Sequence, residues 1–193
     1  MGIAHYVPRN VTFAIDDAEA DWHFHQKFDY IHGRLLMGSL NLKPGGYIEV
    51  QDIRLPFGCD DGTVRPNSTI LQWIHLLIYA CDVLERPIDV AKDHKRRMEE
   101  AGFVDVVEVV QKWPMNNWPK DPVMKEMGMW NLVNMLEGMH AATMAPFTRG
   151  LAWSPQEVEL LLVALRRDVK DTSMHIYWPV YFVYGRKPLN AED

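Results

Sequence analysis

Any chemistry in this sequence has to come from a few scattered side chains. Asp16 and Asp17 close the run Asn10-Val-Thr-Phe-Ala-Ile, with Ala18 and Glu19 directly behind them. His23 and His25 flank Phe24 at a spacing that metal ligands use, yet no Cys, carboxylate or third His completes a tetrahedral set there. An exposed loop pair explains them better, and no metal site is expected. His32 and His75 sit among apolar residues, a setting that more often holds a hydrogen-bonded core histidine than a base. His140 falls in a methionine-rich stretch, and His175 starts the last aromatic run. Cys59 precedes Asp60-Asp61-Gly62, and those negative charges disfavour a thiolate nucleophile. No Ser-His-Asp or Cys-His constellation is readable.

The 193 residues are 48% hydrophobic and 24% charged, the composition of a globular chain and of neither a disordered nor a fibrous one. One domain accommodates that length. A net charge of −6 repels nucleic acid and acidic membranes, so neither is expected as a partner. Cys59 and Cys81 make no disulfide framework, which fits a reducing compartment, the cytoplasm or else the nucleus. No apolar run approaches the roughly 18–20 residues of a membrane span. The opening MGIAHYVPRN lacks the charged-then-apolar order of a signal peptide. The 11 methionines and 7 tryptophans are the unusual feature, since together they can line an adaptable apolar cavity.

The elements that would position these residues follow from patterning. Asn10–Asp16, Phe28–His32 and Gly45–Asp52 read as short strands, the third introduced by the turn Lys43-Pro-Gly-Gly. Only 15 residues separate Ile31 from Tyr47, so a crossover helix between them is shortened. Asn67 or Ser68 can cap a helix with Ile70, Leu71, Ile74, Leu77, Ile78 and Cys81 on one side. Asp89 or Asp93 opens a short charged helix ending at Gly102, and Phe103–Val110 alternates as a strand. Trp113–Pro119 reads as a loop, and Pro122–Met144 as a long helix. Along it, Met124, Met127, Trp130, Leu132, Met135 and Met139 recur at helical spacing, which favours core packing with a pocket wall as the second reading. Ser154-Pro-Gln-Glu is a capping box opening a helix to about Val169. Met174–Tyr184 is a last strand, which Pro179 assigns to an edge or a bulge.

Several blocks, in order, are familiar. Asn10-Val-Thr-Phe-Ala-Ile-Asp-Asp-Ala-Glu, Phe28-Asp-Tyr-Ile-His-Gly-Arg, Leu42-Lys-Pro-Gly-Gly-Tyr-Ile-Glu and Ala101-Gly-Phe-Val-Asp-Val resemble class I SAM-dependent methyltransferases. Trp118-Pro-Lys-Asp, Trp130-Asn-Leu, Leu136-Glu-Gly, Ser154-Pro-Gln-Glu-Val-Glu and Val183-Tyr-Gly-Arg-Lys-Pro narrow the match to the LaeA-like methyltransferases of filamentous fungi, a group associated with secondary metabolism. The resemblance implies an α/β fold: an incomplete Rossmann-like sheet with a helical substrate lobe. Residues 10–52 would be the remnant of the SAM-binding sheet, 53–173 a mostly helical substrate lobe and 174–188 the C-terminal strand, all within one domain of residues 1–193.

The resemblance also assigns roles. Asp17, with Ala18 beside it and Asp16 as the alternative, would hold the adenine of S-adenosyl-L-methionine, since a carboxylate can accept the amino hydrogens. The strand through His32 would lie beside the sulfonium, which makes His32 the candidate base if there is catalysis. The family's Gly-x-Gly-x-Gly turn and the acidic second strand have no counterpart in the 193 residues. The first expectation is therefore a methyltransferase-like protein, truncated relative to its family, acting on a small apolar metabolite with impaired SAM binding. The second is a non-methylating accessory protein that binds or steers a pathway intermediate. The third is an ordinary methyltransferase whose gene model is mis-called upstream of Met1. A protein partner covering exposed sheet edges is a further expectation.

Overall fold

The computed structural model describes residues 10–12, 27–34 and 42–190. Four strands and four α-helices follow in the order β1 (Phe28–Arg34), β2 (Leu42–Ile53), α1 (Thr69–Val83), α2 (His94–Glu100, entered through a 3₁₀ turn at Ala91–Asp93), β3 (Val104–Pro114), α3 (Pro122–Gly150), α4 (Pro155–Asp168) and β4 (Tyr177–Arg186). The strand expected over Asn10–Asp16 lies outside the described residues beyond Thr12.

The fold is α/β, as expected. Its sheet has the order β1-β2-β4-β3, with β1 and β2 parallel and β4 antiparallel to both of its neighbours. β1 and β2 pair in parallel with only residues 35–41 between them, far fewer than the dozen or so of a usual crossover. Proline chemistry assigns Pro179 to an edge or a bulge, but β4 is an interior strand and Pro179 pairs in register with Lys112 of β3. The reason is local. The Pro179 carbonyl accepts the Arg54 amide at 2.9 Å where β2 has just ended, so the missing Pro N–H would have faced a strand that stops there.

Alternation along β4 divides the core. Trp178 and Val180 point to one face, where they join Ile70, Trp73, Ile74 and Leu77 of α1, Met139 and Phe147 of α3, and Val158, Leu162 and Leu165 of α4. Tyr181 and Val183 point to the other, against Ile48 and Val50 of β2, Ala91 and Met98. Each fully buried Leu or Ile contributes about 1.5–3 kcal/mol by leaving water, so the three-helix face holds most of the stabilising burial.

Several sequence boundaries move. β3 continues to Pro114, because Trp113 and Pro114 pair with Trp178 and Tyr177; the predicted loop begins only at Met115. α3 passes Met144 and runs through Pro146 to Gly150, with Phe147 fully buried and Thr148 Oγ1 donating to the Met144 carbonyl at 2.7 Å. The Met/Trp stripe is mixed: Met139 is buried, Leu132 and Met135 pack on the core, and Trp130 is exposed. Ser154 and Glu157 form the expected capping box, whereas Ser68 occupies the N-cap of α1 without making a cap bond. That bond comes from α4 instead, where Asp168 Oδ2 accepts the Ile70 amide at 3.0 Å. Arg65 extends the same link with contacts to Asp168 and, at 2.6 Å, Asp171.

Two glycines of α3 make opposite predictions. A Cβ on Gly128 would lie 2.0 Å from the Asn116 carbonyl oxygen, while one on Gly138 would meet nothing within 4 Å. Gly128→Ala is therefore expected to lower unfolding free energy by about 1–3 kcal/mol or more through overpacking. Gly138→Ala is expected to raise it by up to about 1 kcal/mol through helix propensity. Urea denaturation of the two variants checks the signs. Asp171 gives a second prediction. Its carboxyl is held down to about 2, first by the Ser173 hydroxyl and then by Arg65. A depressed native value contributes stability that is complete above the ordinary carboxylate range and disappears as pH falls through about 2. Denaturation midpoints between pH 4 and pH 2 should fall more steeply in the unaltered chain than in Asp171→Asn.

Candidate functional site

Asp16, Asp17 and Ala18, the residues expected to hold adenine, lie outside the described residues, as do His23 and His25. His32 is described and departs from its expected setting: it is 39% exposed in β1, with its ring Nδ1 3.1 Å from Glu49 Oε1 of β2. Parallel register places it opposite Glu49, so pairing the two strands is enough to bring the groups together. Gln51 Nε2 donates to the same Glu49 oxygen at 3.1 Å. Tyr30, Tyr47 and Tyr184 share this face, since Tyr30 pairs with Tyr47 and Glu49 with Tyr184. The Tyr30 hydroxyl is pushed above the usual tyrosine value, first by burial and then by the negative Glu49. A carboxylate among tyrosine rings attracts a cation.

His75 is also exposed, contrary to the core setting expected of it. It lines an open groove of about 380 Å³ at the start of α1, together with Pro66, Asn67, Ser68, Leu71 and Gln72. His140 bridges α3 to Glu159 of α4 at 2.9 Å, with both side chains about half exposed, and serves as a surface cross-link.

A second group gathers where β2 ends and β4 begins. The segment after β2 lies flat on Tyr177: Gly58 and Tyr177 exchange backbone hydrogen bonds at 2.8 and 3.0 Å, and a Cβ on Gly58 would sit 2.3 Å from the Tyr177 ring. This close approach fixes the next three residues. Asp60 accepts from Tyr177 Oη at 2.7 Å and pairs with Lys112 at 2.5 Å, and the Lys112 ammonium lies 4.8 Å from the centre of the Tyr177 ring. Lys112, then Tyr177, hold the Asp60 carboxyl below the usual range, while the Asp60 bond pushes the Tyr177 hydroxyl up.

Asp61 reaches His175, with Oδ2 2.5 Å from Nδ1. Its other oxygen accepts from Thr63 Oγ1 at 2.8 Å and from Cys59 Sγ at 3.3 Å. His175, then Thr63, hold the Asp61 carboxyl far below the usual range. Cys59 is thus a donor to an acid rather than a nucleophile beside a base, in line with its acidic neighbourhood. Trp118 stacks on the His175 ring with centroids 4.7 Å apart and 27° between planes. His175 precedes β4 by two residues instead of starting it. Its partner acid lies 114 positions earlier, beyond the reach of any local spacing rule. Among the described residues, no group of three His, Cys, Asp or Glu side chains could hold a metal ion. None of the described helices is long and apolar enough to cross a membrane.

No family model matches the chain. It is 35% identical over 183 residues to the probable methyltransferase tdiE of Emericella nidulans, covering 89% of this chain and 58% of that protein. It is 33% identical over 200 residues to the secondary metabolism regulator LAE1 of Cochliobolus heterostrophus, covering 94% of this chain and 64% of that protein. Among solved structures, a phosphoethanolamine N-methyltransferase 2 of Haemonchus contortus in complex with S-adenosyl-L-methionine aligns at 16% identity and a TM-score of 0.36, covering 83% of this chain and 33% of that one; a likeness so low bears no weight. The chain spans about three fifths of the length of the curated relatives it matches. Over that span, its homologues are the fungal methyltransferases and LaeA-type secondary-metabolism regulators that its sequence blocks resemble.

Proposed function

We propose that this chain takes part in SAM-dependent methylation of a small apolar metabolite in fungal secondary metabolism. The observation that carries the reading is the 33–35% identity to a fungal methyltransferase and to a fungal secondary-metabolism regulator across about nine tenths of the chain. The described residues suit one end of SAM. Glu49, bordered by Tyr30, Tyr47 and Tyr184, would hold the sulfonium end, and Asp17 with Ala18, or else Asp16, would hold the adenine. When bound, SAM supplies an electrophilic methyl group.

The chain's own residues do the rest. β1 and β2 fix Glu49, His32 and Gln51 relative to one another. The helical layer of α1, α3 and α4 keeps water from one face of the sheet, and residues 53–173 form the substrate lobe in this reading. The exposed edge strand β3, with Val107, Val109 and Val110 open to solvent, is the place a protein partner would cover.

The test is direct methyl transfer. The purified chain is incubated with millimolar SAM carrying a labelled methyl group and a panel of small apolar phenols, indoles and acids. The expected result is label in at least one acceptor, reduced by Glu49→Gln. Label in none contradicts the reading and leaves the accessory-protein alternative.

A further inference from the structure

The Asp61–His175 pair has no part in the cofactor contacts above, and it is built more completely than a surface ion pair needs to be. A carboxylate only accepts hydrogen bonds, so in the neutral ring the hydrogen sits on Nδ1 and Nε2 presents its lone pair. Nε2 has no hydrogen-bond partner among the described residues, and the side chain is 37% exposed. Two further contacts, from Thr63 and Trp118, restrain the pair. Thr63 Oγ1 accepts the His175 backbone amide at 2.8 Å while donating to Asp61, so one hydroxyl fixes both partners.

Trp118 holds the ring plane, and Trp118 is itself tied down. Its indole Nε1 donates to the Ile176 carbonyl at 2.9 Å, and its amide donates to Asn116 Oδ1 at 3.0 Å. The buried Asn116 is anchored in turn by the Val169 and Asp171 carbonyls, and α3 abuts its carbonyl at Gly128. The pair lies in the segments that leave the carboxyl end of β2 and enter β4. Ligands of α/β sheets bind outside the carboxyl ends of the parallel strands. The neighbouring charges compensate locally, Lys112 against Asp60 and Arg65 against Asp171.

We propose that His175 Nε2 is a proton-accepting site for a weakly acidic O–H group, such as a phenol, on a small-molecule ligand. In the step, the O–H bond breaks, its electron pair stays on oxygen and the proton bonds to Nε2; Asp61 neutralises the imidazolium that forms. Asp61 and Trp118 are positioning residues: one sets the tautomer, the other the plane. The proposal does not rest on the methylation reading, because the length of β4 separates His175 from Tyr184 opposite Glu49.

Long-range proton–nitrogen correlation spectra of the uniformly ¹⁵N-labelled full chain test it without turnover. His175 is expected in the Nδ1–H form, and Asp61→Asn is expected to shift it towards the Nε2–H form of a free imidazole while the Trp73 and Trp178 indole signals stay in place. Should Asp61→Asn fail to fold, the tautomer in the unaltered chain decides by itself. An Nε2–H His175 there, or an unchanged tautomer in a folded Asp61→Asn variant, overturns the proposal. Titration of the labelled chain with phenols of graded acidity is expected to shift the His175 Nε2 resonance, and no shift with any of them overturns the proposal. Absence of transfer in the unaltered chain, together with the expected tautomer, would count against the methylation reading and leave the base in place.

Discussion

The last strand of the chain lies between β2 and β3, and the rest of the structure depends on that insertion. Seven residues of β2, from Tyr47 to Ile53, and most of β3 find their partners on β4, so neither is complete until the C-terminal segment has arrived. The cost is loop-closure entropy over more than a hundred residues, which rises only slowly with length. The return is a strand buried on both faces. Trp178 and Val180 close the three-helix core, and Tyr181 and Val183 close the smaller core beneath α2. Displacing β4 as a whole would therefore damage both layers at once, whereas a single side chain belongs to one of them.

The same insertion builds the chemistry. With β4 fixed, Tyr177 and His175 are delivered to the end of the sheet where β2 stops, and the segment from Gly58 to Thr63 is held against them. Residues separated by more than a hundred positions become a network of short contacts. On the other side of β2, parallel pairing with β1 sets His32 opposite Glu49. Two polar groups thus flank one strand. One is negative and aromatic, suited to a cation; the other holds an imidazole with one nitrogen fixed and one open. Seven residues of extended β4, about 23 Å at roughly 3.3 Å per residue, lie between Tyr184 opposite Glu49 and Tyr177 beside His175, so the two groups are separate sites.

Elements with strong local signals are legible in the sequence. The capping box at Ser154-Pro-Gln-Glu and the apolar stripe of α1 each carry their instruction within a few residues, whereas Lys43-Pro-Gly-Gly, read as a turn, lies inside β2 as an irregularity in its pairing with β1. What is not legible depends on distant partners. Pro179 reads as an edge residue because proline lacks a donor, yet an interior strand tolerates it where the neighbouring strand has ended. Ser68 reads as a cap, but Asp168, a hundred positions later, makes the bond. Trp113 and Pro114 read as loop because Trp-Pro favours extended turns, and extended backbone is also what a strand needs once β4 supplies the pairing. The site divides the same way. Sequence blocks point to the homologues, whereas Asp61 and His175 acquire meaning only when the sheet brings them together. The acidic run at Asp60-Asp61 signals locally only that Cys59 is a poor nucleophile, and nothing nearby in sequence marks it as the support of a histidine.

The proposed function has the chain hold the sulfonium of SAM beside Glu49. Titration calorimetry of the purified chain with SAM tests it most directly. The expected result is saturable binding that Glu49→Gln weakens about tenfold, equivalent to roughly 1.4 kcal/mol. Absence of any heat at several millimolar SAM, or binding that Glu49→Gln leaves unchanged, would contradict it.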